Sequence, residues 1–321
     1  MRSKRVSAFL LLIGAAVFLS TAEAQIDSTG IKLIAQRKYV EAKAFFEAAI
    51  TSNTKNADAH YQLARVLLFQ GNSDDAEDQI DEALELNESN ARYHLLRGNI
   101  LGDRAQKANV LKQAILAPKV KNAFLRAVEL DPTLVEPRVG LYNYYSMAPG
   151  IMGGSEEEAL KQANEVVKLN FVRGHFLLAN FYQRKKDFTQ AEVEYRKIID
   201  ADPKKTDGYK GLGYFFMNQK KFDLAVTQFK KYVELDPKNP DAHDSYGDML
   251  FAQEKYDEAI EKYNFALSID KNFSSSIYQL GACYEKKGMK AKAIETFQWY
   301  LTVEPSGRNA DSARKKIKEL S

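Results

Sequence analysis

Four stretches near the carboxyl end decide the fold of this chain because they repeat one another. They read DFTQAEVEYRKIIDADP (residues 187–203), KFDLAVTQFKKYVELDP (221–237), KYDEAIEKYNFALSIDK (255–271) and MKAKAIETFQWYLTVEP (289–305). Each carries an alanine 34 residues after that of the stretch before it, at Ala191, Ala225, Ala259 and Ala293. A fixed interval of this length indicates a solenoid built from one repeated unit.

Small and bulky residues keep the same register in every unit. An aromatic residue follows each alanine by four positions, at Tyr195, Phe229, Tyr263 and Phe297. A small residue stands upstream of each alanine, again at intervals of 34, at Ala179, Gly213, Gly247 and Gly281. Apolar positions recur three and four apart, and a break divides each unit, so we predict two helices per unit. Stacking of neighbouring units then buries their apolar faces.

This pattern resembles the tetratricopeptide repeat family, and Ala42, Ala76 and Ala83 extend the resemblance towards the amino terminus. The resemblance implies an all-α fold, a right-handed superhelical solenoid whose first helices line a concave groove. We count eight repeats within residues 25–321, at about 25–56, 57–90, 91–134, 135–171, 172–205, 206–239, 240–273 and 274–307. The third and fourth carry insertions, at about 104–118 and 149–155, and we expect these at loops. A capping helix is predicted over 308–320.

The amino terminus has the pattern of a secretory signal peptide. A basic start precedes an apolar run from Ala8 to Leu19, and Ala22-Glu23-Ala24 supplies the small residues that signal peptidase needs. The run is too short for an uncleaved anchor, because a membrane-spanning helix needs roughly 20 apolar residues. We therefore predict a signal peptide over residues 1–24, export to the periplasm or secretion, and no transmembrane segment in the mature chain.

Charge and cysteine content narrow the classes of function further. The chain has 46 basic and 43 acidic residues, and removal of residues 1–24 leaves it nearly neutral. Bulk charge therefore gives no reason to expect a nucleic-acid partner. Cys283 is the single cysteine of the sequence, so no internal disulfide forms, and its place beside Gly281 predicts a small buried thiol.

The glycine-rich stretch SMAPGIMGGSEEEAL (146–160) raises the possibility of a phosphate-binding loop. Such a loop needs a lysine before its serine and a strand before the loop. Here Gly154 precedes Ser155, and the predicted preceding element is a helix. We predict a turn instead, in which Ser155 and Glu158 form a capping box. The Ser155 side chain then accepts from the Glu158 amide, and the Glu158 side chain returns the hydrogen bond.

The four histidines, His60, His94, His175 and His243, fall at one position of the repeat. Equivalent side chains of neighbouring repeats lie on the order of 10 Å apart, whereas histidines on one metal ion converge within about 2 Å of it. We therefore interpret them as packing residues and expect no metal site and no cofactor. The sequence also contains no Ser-His-Asp order, zinc-protease motif or nucleotide fingerprint, so we predict that the protein is not an enzyme.

The family resemblance also assigns the residues of the groove. The inward positions of its first helices include aromatic, amide and charged residues, a mixture suited to an extended peptide. The candidate peptide-binding residues are Tyr61, Arg65, Phe69, Asn99, Asn143, Phe176, Asn180, Arg184, Lys210 and Tyr214. Some relatives grip a peptide's terminal carboxylate, and Asn143, Asn180 and Lys210 match three of the five positions of that clamp.

Two readings of function follow, and their oligomeric state and partners stay open. The first is a non-catalytic exported scaffold or adaptor that binds a protein or extended peptide in the groove, with envelope protein or complex assembly as its setting. The alternative is a periplasmic small-ligand-binding component associated with a transport system. That alternative predicts a compact pocket walled by the two insertions. A third class, an enzyme, needs a convergent acid–base cluster that the sequence does not display.

Overall fold

A computed structural model describes residues 28–307 and 309–321 of the chain. Within these residues every regular element is helical, and no strand is present. The all-α class predicted from the repeats is therefore confirmed. The chain divides into two compact units, the first ending at Asn170 and the second beginning at Phe171.

The first unit consists of consecutive antiparallel helix pairs with short connections. Its described helices are α1 (residues 28–35), α2 (Tyr39–Ser52), α3 (Ala57–Phe69), α4 (Ser73–Leu86), α5 (Ala91–Lys107), α6 (Val110–Leu130), α7 (Val135–Met147) and α8 (Glu156–Leu169). A short 3₁₀ helix, Gly150–Met152, lies between α7 and α8. Two clusters of buried side chains form its core, one around Phe46, Leu63 and Ile80 and the other around Leu101, Phe124 and Leu141.

The second unit repeats the same arrangement more regularly. Its described helices are α9 (Phe171–Arg184), α10 (Phe188–Ala201), α11 (Asp207–Asn218), α12 (Phe222–Leu235), α13 (Pro240–Ala252), α14 (Tyr256–Ile269), α15 (Ser274–Lys286), α16 (Lys290–Val303) and α17 (Ala310–Leu320). One buried cluster runs through all four of its helix pairs and reaches α17.

The small and bulky residues of the repeat meet inside each helix pair. A Cβ added to Gly213 would lie 2.8 Å from the ring of Phe229, and the same contact joins Gly281 to Phe297 at 2.8 Å. Both rings are fully buried. Side chains larger than hydrogen would therefore push the second helix away from the first, which explains why glycine stands at these positions.

The third helix pair departs from this regularity, and the departure differs from the expected loop insertion. Helices α5 and α6 contain 17 and 21 residues, whereas α13 and α14 contain 13 and 14. The extra residues predicted at about 104–118 thus lengthen both helices, because a run without glycine or proline from Asp103 to Ala117 continues the helical pattern. Only Ala108 and Asn109 connect them.

The ends of the chain carry two of the predicted features. The predicted signal peptide, residues 1–24, lies outside the described residues. Helix α17 spans Ala310–Leu320, where the capping helix is expected over 308–320. Among the described helices, none combines the length and apolar character that crossing a bilayer requires.

Replacing Phe229 by alanine tests the contact between the rings and the glycines. We expect Phe229→Ala to lower the free energy of unfolding by about 3–5 kcal/mol, because a fully buried ring leaves a cavity. Phe265→Ala is the matched control, since this ring is half exposed on α14, and its loss should cost about 1 kcal/mol or less. Denaturation followed by circular dichroism measures both, and equal effects would contradict the proposed packing.

Candidate functional site

Two cavities lie along the first helices of the first unit, and together they contain five of the ten predicted groove residues. The smaller, about 180 Å³, lies between α3 and α5. Helix α3 contributes Tyr61, Arg65, Leu68 and Phe69, and α5 contributes Arg92, Leu95, Leu96 and Asn99. The larger, about 530 Å³, lies between α5, α6 and α7 and also includes Asn99. Asn99 is therefore common to both.

The smaller cavity has a fixed aromatic wall. The ring of Tyr61 stacks on Tyr93, with 5.0 Å between centroids, and the Tyr93 hydroxyl donates to Asp58 at 2.5 Å. Burial and this carboxylate raise the pKa of Tyr93 well above its usual value, so the hydroxyl stays protonated. The Arg65 guanidinium lies 5.8 Å from the Tyr61 ring centre and donates to Gln62. The wall thus combines a rigid ring with a cation.

The larger cavity has no charged side chain in its wall. It is lined by Gly98, Asn99, Gly102, Ala105, Gln106, Gln113, Ala117, Val120, Phe124, Gly140, Asn143, Tyr144, Met147, Ala148, Pro149 and Met152. The ring of Phe124, in this lining, lies against Gly98 and Gly140, whose missing side chains bring the helices close. Carboxamides supply the polar groups, so the cavity suits a neutral occupant with hydrogen-bonding capacity.

The lengthened hairpin and the loop after α7 form opposite parts of this wall. Ala105, Gln113 and Ala117 come from the added turns of α5 and α6, while Pro149 and Met152 come from the loop. Both predicted insertions, at about 104–118 and 149–155, therefore contribute to one cavity. The sequence did not predict most of the lining, which includes Gly102 on α5, where a Cβ would meet no atom within 4 Å.

The loop is fixed by its own hydrogen bonds. The Tyr144 hydroxyl donates to the Met152 carbonyl, and the Gly154 amide donates to the Pro149 carbonyl at 3.1 Å. Gly153 has a φ of +91°, which favours glycine. A Cβ on Gly154 would overlap the Ala148 carbonyl oxygen. The two glycines are thus structural, as a turn requires.

The predicted capping box forms only in part. The Glu158 amide donates to the Ser155 hydroxyl at 3.2 Å, as expected. The return bond from the Glu158 side chain to the Ser155 amide is wrong, because that amide donates to the Tyr145 carbonyl at 2.9 Å. Glu158 instead accepts from Lys161 at 3.3 Å. The chain reversal places a backbone acceptor where the glutamate was expected.

The five groove residues of the second unit have different surroundings. Phe176 is half-buried, with its ring 5.8 Å from that of Tyr195, while Asn180 and Arg184 are exposed. Lys210 and Tyr214 are engaged inside the unit. The Lys210 ammonium lies 2.6 Å from Asp241, and the Tyr214 hydroxyl donates to Asp248 at 2.9 Å.

The ion pair of Lys210 affects the predicted carboxylate clamp. Of the three matching residues, Asn143 belongs to the first unit, and Asn180 and Lys210 belong to the second. Asp241 already neutralises Lys210 and also accepts from the Tyr232 hydroxyl at 2.5 Å. A peptide carboxylate would have to displace an existing ion pair, so the geometry gives the clamp no support.

Three aspartates on one face of α13 act as hydrogen-bond centres within the second unit. Asp244 is buried and accepts from Ser275 at 2.8 Å and from Ser276 at 2.6 Å. Asp248 accepts from Tyr214, Tyr263 and Gln279, each at 2.9 Å. Of these three aspartates, Asp241 is the one that forms an ion pair among the described residues, with Lys210. These acidic residues hold neighbouring repeats together, and the repeat register alone did not indicate that role.

Burial raises the pKa values of two of these aspartates, Asp244 and Asp248. Desolvation, with the neighbouring charge of Asp248 adding to it, raises the pKa of Asp244 to about 7. Desolvation likewise raises the pKa of Asp248, although its three donors oppose the shift. Asp244 therefore binds a proton in the folded protein under conditions where an unfolded chain would have released it.

The histidines lie where packing residues are expected. His60, His94 and His243 each place Nε2 within hydrogen-bond distance of the carbonyl six residues earlier, at 3.3, 2.8 and 2.9 Å. His175 contacts Glu194 at 2.6 Å. Cys283 is buried, and its pKa is raised to about 12, which removes its reactivity. Among the described residues, no group of histidine, cysteine and carboxylate side chains is placed to hold a metal ion.

Models of a single repeat family match four parts of the sequence. Tetratricopeptide repeat models match residues 33–100, residues 172–205 and 209–239, and residues 275–302. A TPR repeat model matches residues 247–288. Together they match more than half of the chain.

Solved structures share the fold at low sequence identity. Yeast Tom70 is 16% identical, with a TM-score of 0.65 over 88% of this chain and 58% of that one. A tetratricopeptide repeat protein from Parabacteroides merdae is 14% identical, with a TM-score of 0.54 over 82% of this chain and 98% of that one. This chain thus spans less than two thirds of the Tom70 chain. No curated protein sequence matches it.

The buried aspartate pair predicts how stability depends on pH. Aspartates of an unfolded chain ionise near pH 4, whereas the folded pKa of Asp244 is about 7. Its stabilising contribution is therefore complete below about pH 4 and is lost as the pH rises through about 7. Asn cannot ionise, so Asp244→Asn lacks this dependence on pH. Between about pH 5 and 8, the free energy of unfolding should therefore fall by on the order of 2 kcal/mol less in Asp244→Asn than in the wild type.

Denaturant titrations at several pH values measure this difference. Asp200→Asn is the matched control, because Asp200 is exposed on α10, and it should keep the wild-type dependence on pH. If Asp244→Asn and wild type changed in parallel, the assignment of a bound proton to this pair would be wrong.

Proposed function

Because the chain belongs to the tetratricopeptide repeat family, we propose that it is a non-catalytic scaffold for a partner protein. An extended segment of the partner lies along the first helices of the first unit, across the two cavities that meet at Asn99. Export, inferred from residues 1–24, sets this activity in the periplasm or outside the cell. Assembly of envelope proteins or complexes is the process that this setting favours.

The observation that carries the proposal is that Asn99 lines both cavities. Side chains of an extended peptide need separate pockets, and the peptide backbone between them needs donors and acceptors. The exposed Asn99 carboxamide supplies both at the point that the cavities share. Asn143 offers a second carboxamide in the larger cavity.

The two cavities differ in the side chains that they suit. The smaller contains Arg65 and Arg92 beside the Tyr61 and Phe69 rings, a combination that suits an acidic or aromatic side chain. The larger is uncharged and floored by Phe124, which suits a bulky apolar side chain. The proposal therefore expects partner segments that combine these two kinds of residue.

Replacing Asn99 tests the proposal directly. Peptides selected from a phage-displayed random library on the chain from Gln25 onward should bind Asn99→Ala about fivefold to tenfold more weakly, because a backbone hydrogen bond is lost. Isothermal titration calorimetry with the selected peptides measures the change. Asn164→Ala is the matched control, since this asparagine is exposed on α8 and bonds within its own helix.

The control should bind as the wild type does. If no peptide were enriched, or if enriched peptides bound Asn99→Ala and the wild type equally, this face would not be the peptide site. If Lys210→Ala weakened peptide binding as much as Asn99→Ala, the result would instead indicate a peptide site in the second unit.

A second candidate function is supported by the larger cavity itself. We infer from it that the protein binds a small neutral ligand, as a ligand-binding component associated with a transport system would. The supporting observation is a volume of about 530 Å³ walled by both insertions without a charged side chain. This volume lies within the range of small-molecule sites, roughly 300–1,000 Å³.

Gly102→Leu separates this candidate from the peptide scaffold. Gly102 lines the cavity, and a Cβ there meets no atom within 4 Å, so the larger side chain fills space without displacing the helices. If a small ligand occupies the cavity, native mass spectrometry should detect it on wild-type protein and at least about tenfold less on Gly102→Leu. Ala291→Leu, an exposed substitution on α16, should retain it. Equal ligand loading of both variants would reject the small-ligand function.

A further inference from the structure

The lengthened hairpin of α5 and α6 is basic, although the chain as a whole is balanced. From Arg104 to Val128 the sequence contains no aspartate or glutamate. The same stretch contains six basic residues: Arg104, Lys107, Lys112, Lys119, Lys121 and Arg126. Acidic residues outside the stretch pair with Arg104, Lys107 and Arg126, so its unbalanced positive charge comes from the three other lysines.

The outer face of α6 also exposes large apolar side chains. Leu111 is 79% exposed and Ile115 is 63% exposed, one helical turn apart. Leu125 continues the same face ten residues later, nearly three turns on, and is also exposed. At about 100° per residue, these three positions fall within roughly a quarter of the helix circumference. They lie opposite Gln113, Ala117 and Phe124, which face the larger cavity.

Cations flank this apolar stripe, which we define as Leu111, Ile115 and Leu125. Lys112 and Lys119 are seven residues apart and project on one side of it, and Lys121 projects on the other. Among the described residues none of these three lysines forms an ion pair. Val110, 67% exposed, adds a fourth apolar side chain at the start of the helix.

A polar cavity opens beside the tip of the hairpin. It measures about 180 Å³, and Arg104, Lys107 and Lys112 line it together with Asp74. The Arg104 guanidinium pairs with Asp74 at 2.8 Å and also with Glu77, and Lys107 pairs with Asp103 at 2.7 Å, so Lys112 is the cation of this lining left for an external anion. The cavity has the size of a small polar group and lies next to the apolar stripe.

Two hydrogen bonds fix the backbone at the tip of the hairpin, where α5 ends and α6 begins. Asn109 caps α6 by accepting from the Lys112 amide at 3.0 Å. The Gln113 side chain donates to the Ala108 carbonyl at 3.0 Å and so closes the end of α5. Both connecting residues are therefore bonded to the first turn of α6, which fixes the backbone at the start of the stripe.

The geometry points to an anionic lipid surface as the occupant of this tip. Leu111 and Ile115 enter the boundary between headgroups and acyl chains, Lys112 and Lys119 contact the phosphates, and the cavity beside Lys112 takes a headgroup. Charge complementarity selects this occupant, because exposed leucine and isoleucine between lysines match a surface that is apolar below and anionic above. A nucleic acid would use the lysines but leave the apolar stripe uncovered. The inference goes beyond the proposed function, since neither groove cavity contains Leu111, Lys112, Ile115 or Lys119.

Vesicle flotation of the chain from Gln25 onward tests this inference, because removing residues 1–24 prevents their apolar run from binding the vesicles. The wild type should float with vesicles of phosphatidylglycerol and phosphatidylcholine and stay behind with phosphatidylcholine alone. Leu111→Ser/Ile115→Ser and Lys112→Glu/Lys119→Glu should each weaken partitioning about tenfold or more. High salt should weaken the wild type, since exposed charges are screened.

Two double variants serve as matched controls and should partition as the wild type does. Val40→Ser/Leu224→Ser removes exposed apolar side chains elsewhere, and Lys230→Glu/Lys271→Glu makes the same charge change on exposed positions of the second unit. The inference would be overturned if the wild type did not bind anionic vesicles, or if the tip variants bound them as the wild type does. It would also be overturned if the charge control lost as much binding as Lys112→Glu/Lys119→Glu. Light scattering that shows a dimer lost in Leu111→Ser/Ile115→Ser would also overturn it and assign the stripe to a second copy of the chain.

Discussion

The contact between a glycine on the first helix and an aromatic ring on the second controls the geometry of most helix pairs in this protein. In the second unit the partners are 16 residues apart, as in Gly247 and Tyr263, where a Cβ would lie 2.6 Å from the ring. Because a fully buried ring cannot move without opening a cavity, this contact fixes the separation and register of the two helices. Loops and added residues are therefore accommodated outside this contact, without changing it.

The third helix pair shows how far this constraint reaches. Its glycine and ring, Gly98 and Phe124, are 26 residues apart, yet a Cβ on Gly98 would still lie 2.5 Å from the ring. The ten additional residues therefore sit on the turn side of the contact, where they extend both helices. About five residues per helix lengthen the hairpin by roughly 7 Å. That extension provides one wall of the larger cavity and the basic tip of α6.

The sequence is sufficient to predict these hairpins, but the chemistry of the groove depends on more than register. Ala191, Phe229 and Gly213 could be assigned to the core, because their burial follows from the helical period. The hydrogen bonds of Lys210 and Tyr214 could not be predicted in the same way. Their acceptors, Asp241 and Asp248, lie 31 and 34 residues away, and side-chain rotamers decide whether such pairs meet. A pocket walled by the two insertions was predicted for the small-ligand alternative, but most of its lining residues were missed, since the wall also depends on glycines of α5 and α7.

These hydrogen bonds distinguish the inward face of the second unit from that of the first. In the second unit, residues of neighbouring first helices satisfy one another: Lys210 bonds Asp241, and Gln279 bonds Asp248. Polar groups that are already bonded gain little from a ligand, because each new bond must replace an existing one. In the first unit the corresponding Asn99 and Asn143 are exposed and line cavities. A shared repeat fold thus carries inward side chains that bond across neighbouring repeats in the second unit and exposed inward carboxamides in the first.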